Sequence, residues 1–275
     1  MCQLMDLTLT RSEQLNAHAS LPLAFDRSRQ GPAARVFART KAVESRFAIL
    51  LRRIAGHVQH LMQAFDTTNP SMANEMERQL EEYAKVIEPW AKSVSQRMLA
   101  EIASRDWQAW QEVSARIGRG VKEAVRDAPT GLVMQRLLRD QTSLITSIPR
   151  EAAERVRRLT LEGISGSKRP AAYVEEIMKQ GQVSRAKATL IARTEVARTA
   201  SVLTQVRAQH IGSTHFIWRT ARDSDVRASH KALEGKVFAW DDPPLCDPPN
   251  HRSLPGQIYN CRCVAEVVIP ESLFD

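Results

Sequence analysis

The apolar residues of this chain hold one period for most of its length and then change it. From about residue 33 to residue 212 they recur at helical spacing. Beyond that, "THFIWRTA", "GKVFAW" and "CRCVAEVVI" show the β-branched and aromatic alternation of strands, around a Pro-rich loop at 243–255. Helices first and strands last do not make alternating βαβ units. The expected class is α+β: a mainly helical N-terminal half, then a compact C-terminal α+β domain with a small antiparallel sheet. An aromatic content of 5% suits helices better than sheets. The 275 residues permit one large domain or two smaller ones.

Three parts are expected: a polar arm at 1–31, a helical docking region at 32–140 and a C-terminal domain at 141–275. The first helix should bury Val36, Phe37, Val43, Phe47, Leu50, Leu51, Ile54 and Leu61. Its other face carries Arg35, Arg39, Arg46 and Arg53, a candidate stripe facing DNA. Asn69-Pro70-Ser71 marks a turn, and Pro89 should kink or split the next helix. Leu80, Tyr83, Val86, Ile87, Trp90, Val94, Met98 and Ile102 form its expected core stripe, with Trp107 and Trp110 as packing residues. Pro149 is expected to separate two helical runs, and Gly181 to turn between a short helix and a long one. Ser184 is the expected N-cap of that long helix and Gly212 its stop.

A net charge of +8 favours an anionic neighbour, either nucleic acid or an acidic protein face. The sequence contains no apolar run long enough to span a membrane and no signal-peptide pattern at its start. It is therefore expected to be made in a cytoplasm, with reduced cysteines and no disulfide framework. No GxGxxG run, Walker A loop or nucleophile elbow is present.

Two stretches carry the chemistry. In "IARTEVARTA", Arg193 and Glu195 need partners if buried, and Asp223, Asp225 and Arg227 are available. With His230 they are read as a structural polar network joining helix to loop, in preference to a catalytic centre. In "NCRC", Cys261 and Cys263 are alternate residues of an expected strand and so share a face. His230, Cys246 and His251 stand ready to complete a metal site. Buried packing is the reading the residues favour for these thiols, a structural zinc is second, and a catalytic thiol third. No cofactor is required.

The order "SLITSIP…IARTEVARTAS…WRTARDSDVRASHKALEGKVFAWDDPP…NCRC" resembles the phage Mu F-like head-morphogenesis proteins, from about Gln141 to Ile269. The residues that carry the likeness are Ala192 to Glu195, Asp225-Val226-Arg227 with His230, Gly235, and Asn260 to Cys263. The resemblance implies a minor capsid protein inside the head of a tailed bacteriophage, with a structural role and no established reaction. Its implied partners are the portal protein, the major capsid protein and packaged DNA bound non-specifically; no membrane is implied. Two rival classes remain. One is an enzyme acting on nucleotide or nucleic acid (nuclease or ADP-ribosyltransferase-like), which would set Arg193, Glu195 and His230 around one open cleft. The other is a plain DNA-binding module, which would expose the arginine stripe.

Overall fold

The computed structural model describes residues 40–65, 70–117, 119–165, 175–247 and 251–273. Helices come first among the described residues: α1 (Lys41–Gln63), α2 (Pro70–Val86), α3 (Glu88–Ile117), α4 (Arg119–Arg126), α5 (Thr130–Ser165) and, after the helical residues 175–178, α6 (Gln180–His210). Strand β1 (His215–Arg219) follows, then the single-turn helix α7 (Ala228–Lys231) and strands β2 (Val237–Ala239), β3 (Leu245–Asp247), β4 (His251–Arg252) and β5 (Val264–Val267). The α+β order read from the changing period is the order observed.

Helix α1 buries Val43, Phe47, Leu51, Ile54, Val58 and Met62, one stripe at three- and four-residue steps. Leu50 and Leu61 lie at its edge, half-buried. The expected Val36, Phe37, Arg35, Arg39 and the polar arm lie outside the described residues. Pro89 breaks the helical run as expected. It falls in the first turn of α3, where a missing N–H costs nothing. Val86, the last residue of α2, faces solvent at this break, and Ile87 takes the core position instead.

One expected break is not a break. Helix α5 runs unbroken from Thr130 to Ser165 through Pro149. An interior proline costs about 3 kcal/mol or more. Around it Ile145, Ile148, Ala152, Ala153 and Val156 are all fully buried. Each large aliphatic side chain removed from water returns roughly 1.5–3 kcal/mol, so packing outweighs the proline. The turn expected at Gly181 falls two residues earlier, at Lys179, between the helical residues 175–178 and α6, so Gly181 lies in the first turn of α6. A Cβ there would lie 2.8 Å from Cγ of Gln59, so the glycine lets α1 and α6 approach each other. Ser184 is then one turn inside the helix and buried, and Lys179 stands at the N-cap with no side-chain cap bond.

Gly212 does end α6. Its N–H donates to the Gln209 carbonyl at 3.0 Å, and the Ser213 N–H donates to the Ala208 carbonyl at 2.9 Å, the paired bonds of a Schellman stop. The chain then enters a three-stranded antiparallel sheet of order β2-β1-β5, with β3 and β4 forming a separate hairpin. Phe216 pairs with Phe238 and Val267, and Trp218 with Ala265. Phe216, Ile217 and Trp218 are all buried, so the central strand is covered on both faces.

Buried apolar side chains form two clusters. One is aliphatic and lies among α1, α2, α3, α5 and α6. The other gathers Phe216, Trp218, Trp240 and Ile258 with Trp110 and Val113 of α3 and Val121 and Val125 of α4. The expected boundary at 140/141 falls within α5, and the second cluster reaches back across it.

Candidate functional site

The site is a turn. Cys261 N–H donates to the Ile258 carbonyl at 3.2 Å, and Asn260 sits at φ 59°, a left-handed conformation that Asn accepts more readily than most residues. Gly256, at φ 85°, brings the loop onto α6. A Cβ there would stand 3.2 Å from the Cys263 carbonyl oxygen and 3.3 Å from that of Ala197. Strand β5 begins only at Val264, so Cys261 and Cys263 precede it. Their thiols meet because the turn folds them inward, not because a strand alternates.

Each residue from Tyr259 to Cys263 has a partner, and the two cysteines share one. Arg227 donates to the Tyr259 carbonyl at 3.0 Å, and its guanidinium lies over the Tyr259 ring, 4.7 Å from the centroid. Asn260 N–H donates to Thr194 Oγ1 at 3.0 Å, and Asn260 Oδ1 accepts from Arg193 Nη1 at 2.8 Å. Arg262 spans Asp223, at 2.8 and 2.9 Å, and Asp225, at 3.1 Å. Nδ1 of His230 lies 3.6 Å from Sγ of Cys261 and 3.5 Å from Sγ of Cys263.

His230 is placed by α7, and its ring meets Trp218 of β1 edge-on at 5.3 Å. His230, Cys261 and Cys263 are all buried, and their ligand atoms lie within 4.8 Å of one another. Nε2 of His230 and Nε1 of Trp218 are buried without a hydrogen-bond partner. A hydrogen bond from Cys263 pulls the Cys261 thiol down to about 4 against the opposing effect of burial. The same contact, with burial, pushes the Cys263 thiol up.

Five of the six residues expected to form one polar network therefore converge on this turn: Arg193, Asp223, Asp225, Arg227 and His230. They do not pair in the way expected. Arg193 reaches Glu44 of α1 at 3.1 Å, 149 residues away in the chain, as well as Asn260. Glu195 is apart from the turn. It is buried among the helices, 3.7 Å from Arg198, and burial raises its carboxyl above the usual range. Of the five candidate metal ligands the structure joins three. Cys246 is turned toward the carbonyls of His251, at 3.4 Å, and Ser253, at 3.8 Å, and the His251 residue is exposed.

A cleft of about 710 Å³ lies beside the turn and is lined by Arg193, Arg219, Arg222 and Arg262, with Glu44 and Glu266. Glu195 and His230 do not line it, so the trio named for an enzyme does not share one cleft. The cleft's arginines are ion-paired, Arg219 with buried Glu266 and Arg222 with Glu234. On the candidate DNA stripe, Arg46 is paired with Glu101 and Arg53 is exposed.

Sequence reasoning missed Thr194, Glu44 and Arg262 as clasps. It also missed a buried joint in which Asp106 of α3 holds Thr204, at 2.9 Å, and Arg207 of α6. Burial pushes the Asp106 carboxyl up to about 6 against the opposing pull of Arg207. No local pattern signals a pair 101 residues apart; Arg207 in the last turn of α6 reads equally well as a solvated helix end.

Comparison with known proteins places this turn. Residues 154–266 match the family model described as "Phage Mu protein F like protein", from the second half of α5 to β5. Residues 154–266 form a stretch similar to the Mu F-like domain. That stretch contains α6, α7 and the whole clasped turn. An uncharacterized protein of Haemophilus influenzae is 26% identical over 190 residues, covering 66% of this chain and 41% of the relative. The "Minor head protein GP7" of Bacillus phage SPP1 is 26% identical over 156 residues, covering 51% of each chain. The chain thus spans about half the length of these curated relatives or less. No solved structure gives a significant match.

Proposed function

We propose that this chain is a minor structural protein of a tailed-phage head, seated on the inner side of the capsid near the portal. One observation carries the reading. The segments that resemble the Mu F-like family are far apart in sequence, yet Thr194 and Arg193 of one hold Asn260 of the other. What these residues do is shape a surface rather than surround a reacting atom. The likeness to a phage minor head protein supports the head as its location. Among the described residues no helix is long and apolar enough to cross a membrane, so the proposed partners are capsid proteins and DNA.

The net charge of +8 supports a position beside packaged DNA. Such contacts are sequence-independent and weaken steeply as salt rises. Quantitative mass spectrometry of purified particles tests the reading. The chain should be present in DNA-filled heads at a fixed, low ratio to the portal. Absence from particles whose portal and capsid proteins are detected overturns it.

A further inference from the structure

The turn sets two buried thiols against one imidazole nitrogen. Nδ1 of His230 has two sulfurs at 3.5 and 3.6 Å. An imidazole nitrogen has one lone pair or one proton, so it serves one of them well and not both. All three residues are buried; the Cys263 N–H donates to Cys261 Sγ at 3.4 Å, while Nε2 of His230 is left without a partner. The distances themselves point to a different arrangement. In a tetrahedral site with metal–sulfur bonds of about 2.3 Å and metal–nitrogen bonds of about 2.0–2.1 Å, the sulfur–nitrogen edge is about 3.6 Å. Both edges in the structure have that length.

We infer that His230 Nδ1, Cys261 Sγ and Cys263 Sγ hold a zinc ion, with the fourth position facing a small cavity beside them. That cavity, about 150 Å³, is lined by the three ligands together with Asp225, Arg227, Asn260 and Arg262. It has room for a water or for a carboxylate oxygen of Asp225. Cys246 is not the fourth ligand, because its thiol is committed to two carbonyls of its own hairpin. Binding displaces any thiol proton still held and leaves Zn²⁺ with two thiolates and a neutral imidazole. The sum of charge is zero, which suits a buried site. Two sulfurs and one nitrogen select a thiophilic ion over magnesium or calcium. The ion fastens α7 to the segment entering β5, and so closes the loop between them.

Zinc content of the full chain, purified without chelator, tests this. One zinc per chain is expected. Cobalt(II) in its place should give the strong absorption of a tetrahedral site with thiolate-to-metal charge transfer. Cys261→Ser and Cys263→Ser should each remove about half of that charge-transfer intensity. His230→Ala should lose zinc, whereas Cys246→Ser and His251→Ala should keep one zinc per chain. Helical circular dichroism shows which variants fold, and the wild-type cobalt spectrum does not depend on any variant. Only trace metal in wild type refolded with excess zinc overturns the inference. So does a Cys261–Cys263 disulfide in the unreduced peptide map, or loss of zinc in Cys246→Ser.

Discussion

Among its buried residues the core between α1, α2, α3, α5 and α6 has Phe47 as its one aromatic side chain; the rest are Ala, Val, Leu, Ile and Met. The core beneath the sheet is built on Trp110, Phe216, Trp218 and Trp240, with the buried cysteines Cys246, Cys261 and Cys263. In the first, shape is set by periodicity, and many aliphatic combinations would serve. In the second, short strands supply few ladder bonds, and the loops are fixed by particular side chains. The Mu F-like match covers most of the second region and, through α6 and the end of α5, part of the first. A fold held by individual clasps constrains its sequence residue by residue, whereas one held by an apolar stripe constrains only the pattern.

The sharpest contrast comes from paired substitutions. Trp218→Ala opens the sheet core and removes the ring backing His230, at a cost of about 3–5 kcal/mol. Leu51→Met, at an equally buried site in the helical core, should cost less than about 1.5 kcal/mol. Urea denaturation of both variants checks this. Equal losses would break the contrast.

Gly256→Ala tests the clasp at its closest approach. The new methyl faces two backbone oxygens at 3.2 and 3.3 Å, at φ 85°. A loss of about 2 kcal/mol is expected, with the helical signal intact. A neutral result would show that the turn is not held against α6.

These two regions were also unequally legible. The helices were readable because 3.6-residue periodicity is a local signal, and so was the final antiparallel sheet. Pro149 was misread because local propensity was overruled by packing around Ile145 and Ile148, whereas the turn read at Gly181 lies two residues away, at Lys179. The site residues were readable as types but not as pairs. Arg193 looked toward Asp223, Asp225 and Arg227, yet its partners are Glu44 and Asn260. A charge pattern names candidates; only the fold selects among them. Cys261 and Cys263 do converge, by a turn instead of a strand.

A smaller effect sharpens the comparison at the seam. The Asp106 carboxyl, raised to about 6 by burial, binds its proton more tightly in the folded chain than in the unfolded one. Its contribution is therefore complete at low pH and is lost as pH rises through about 6. Lowering the pH from 7 to 5 should add about 1 kcal/mol of stability in the presence of chelator. Asp106→Asn should flatten that dependence, as read from denaturation midpoints.

The central claim is that the two regions fold as one unit, because α3 and α4 supply Trp110, Val113, Val121 and Val125 to the sheet core and α1 covers α6. The fragment 141–275 tests it directly, since the sequence alone led us to expect a separable domain there. Without α1 to α4 it should lose its cooperative melting transition and its near-ultraviolet tryptophan signal, while the full chain melts in a single step. A soluble fragment that melts cooperatively at the temperature of the full chain would contradict the claim.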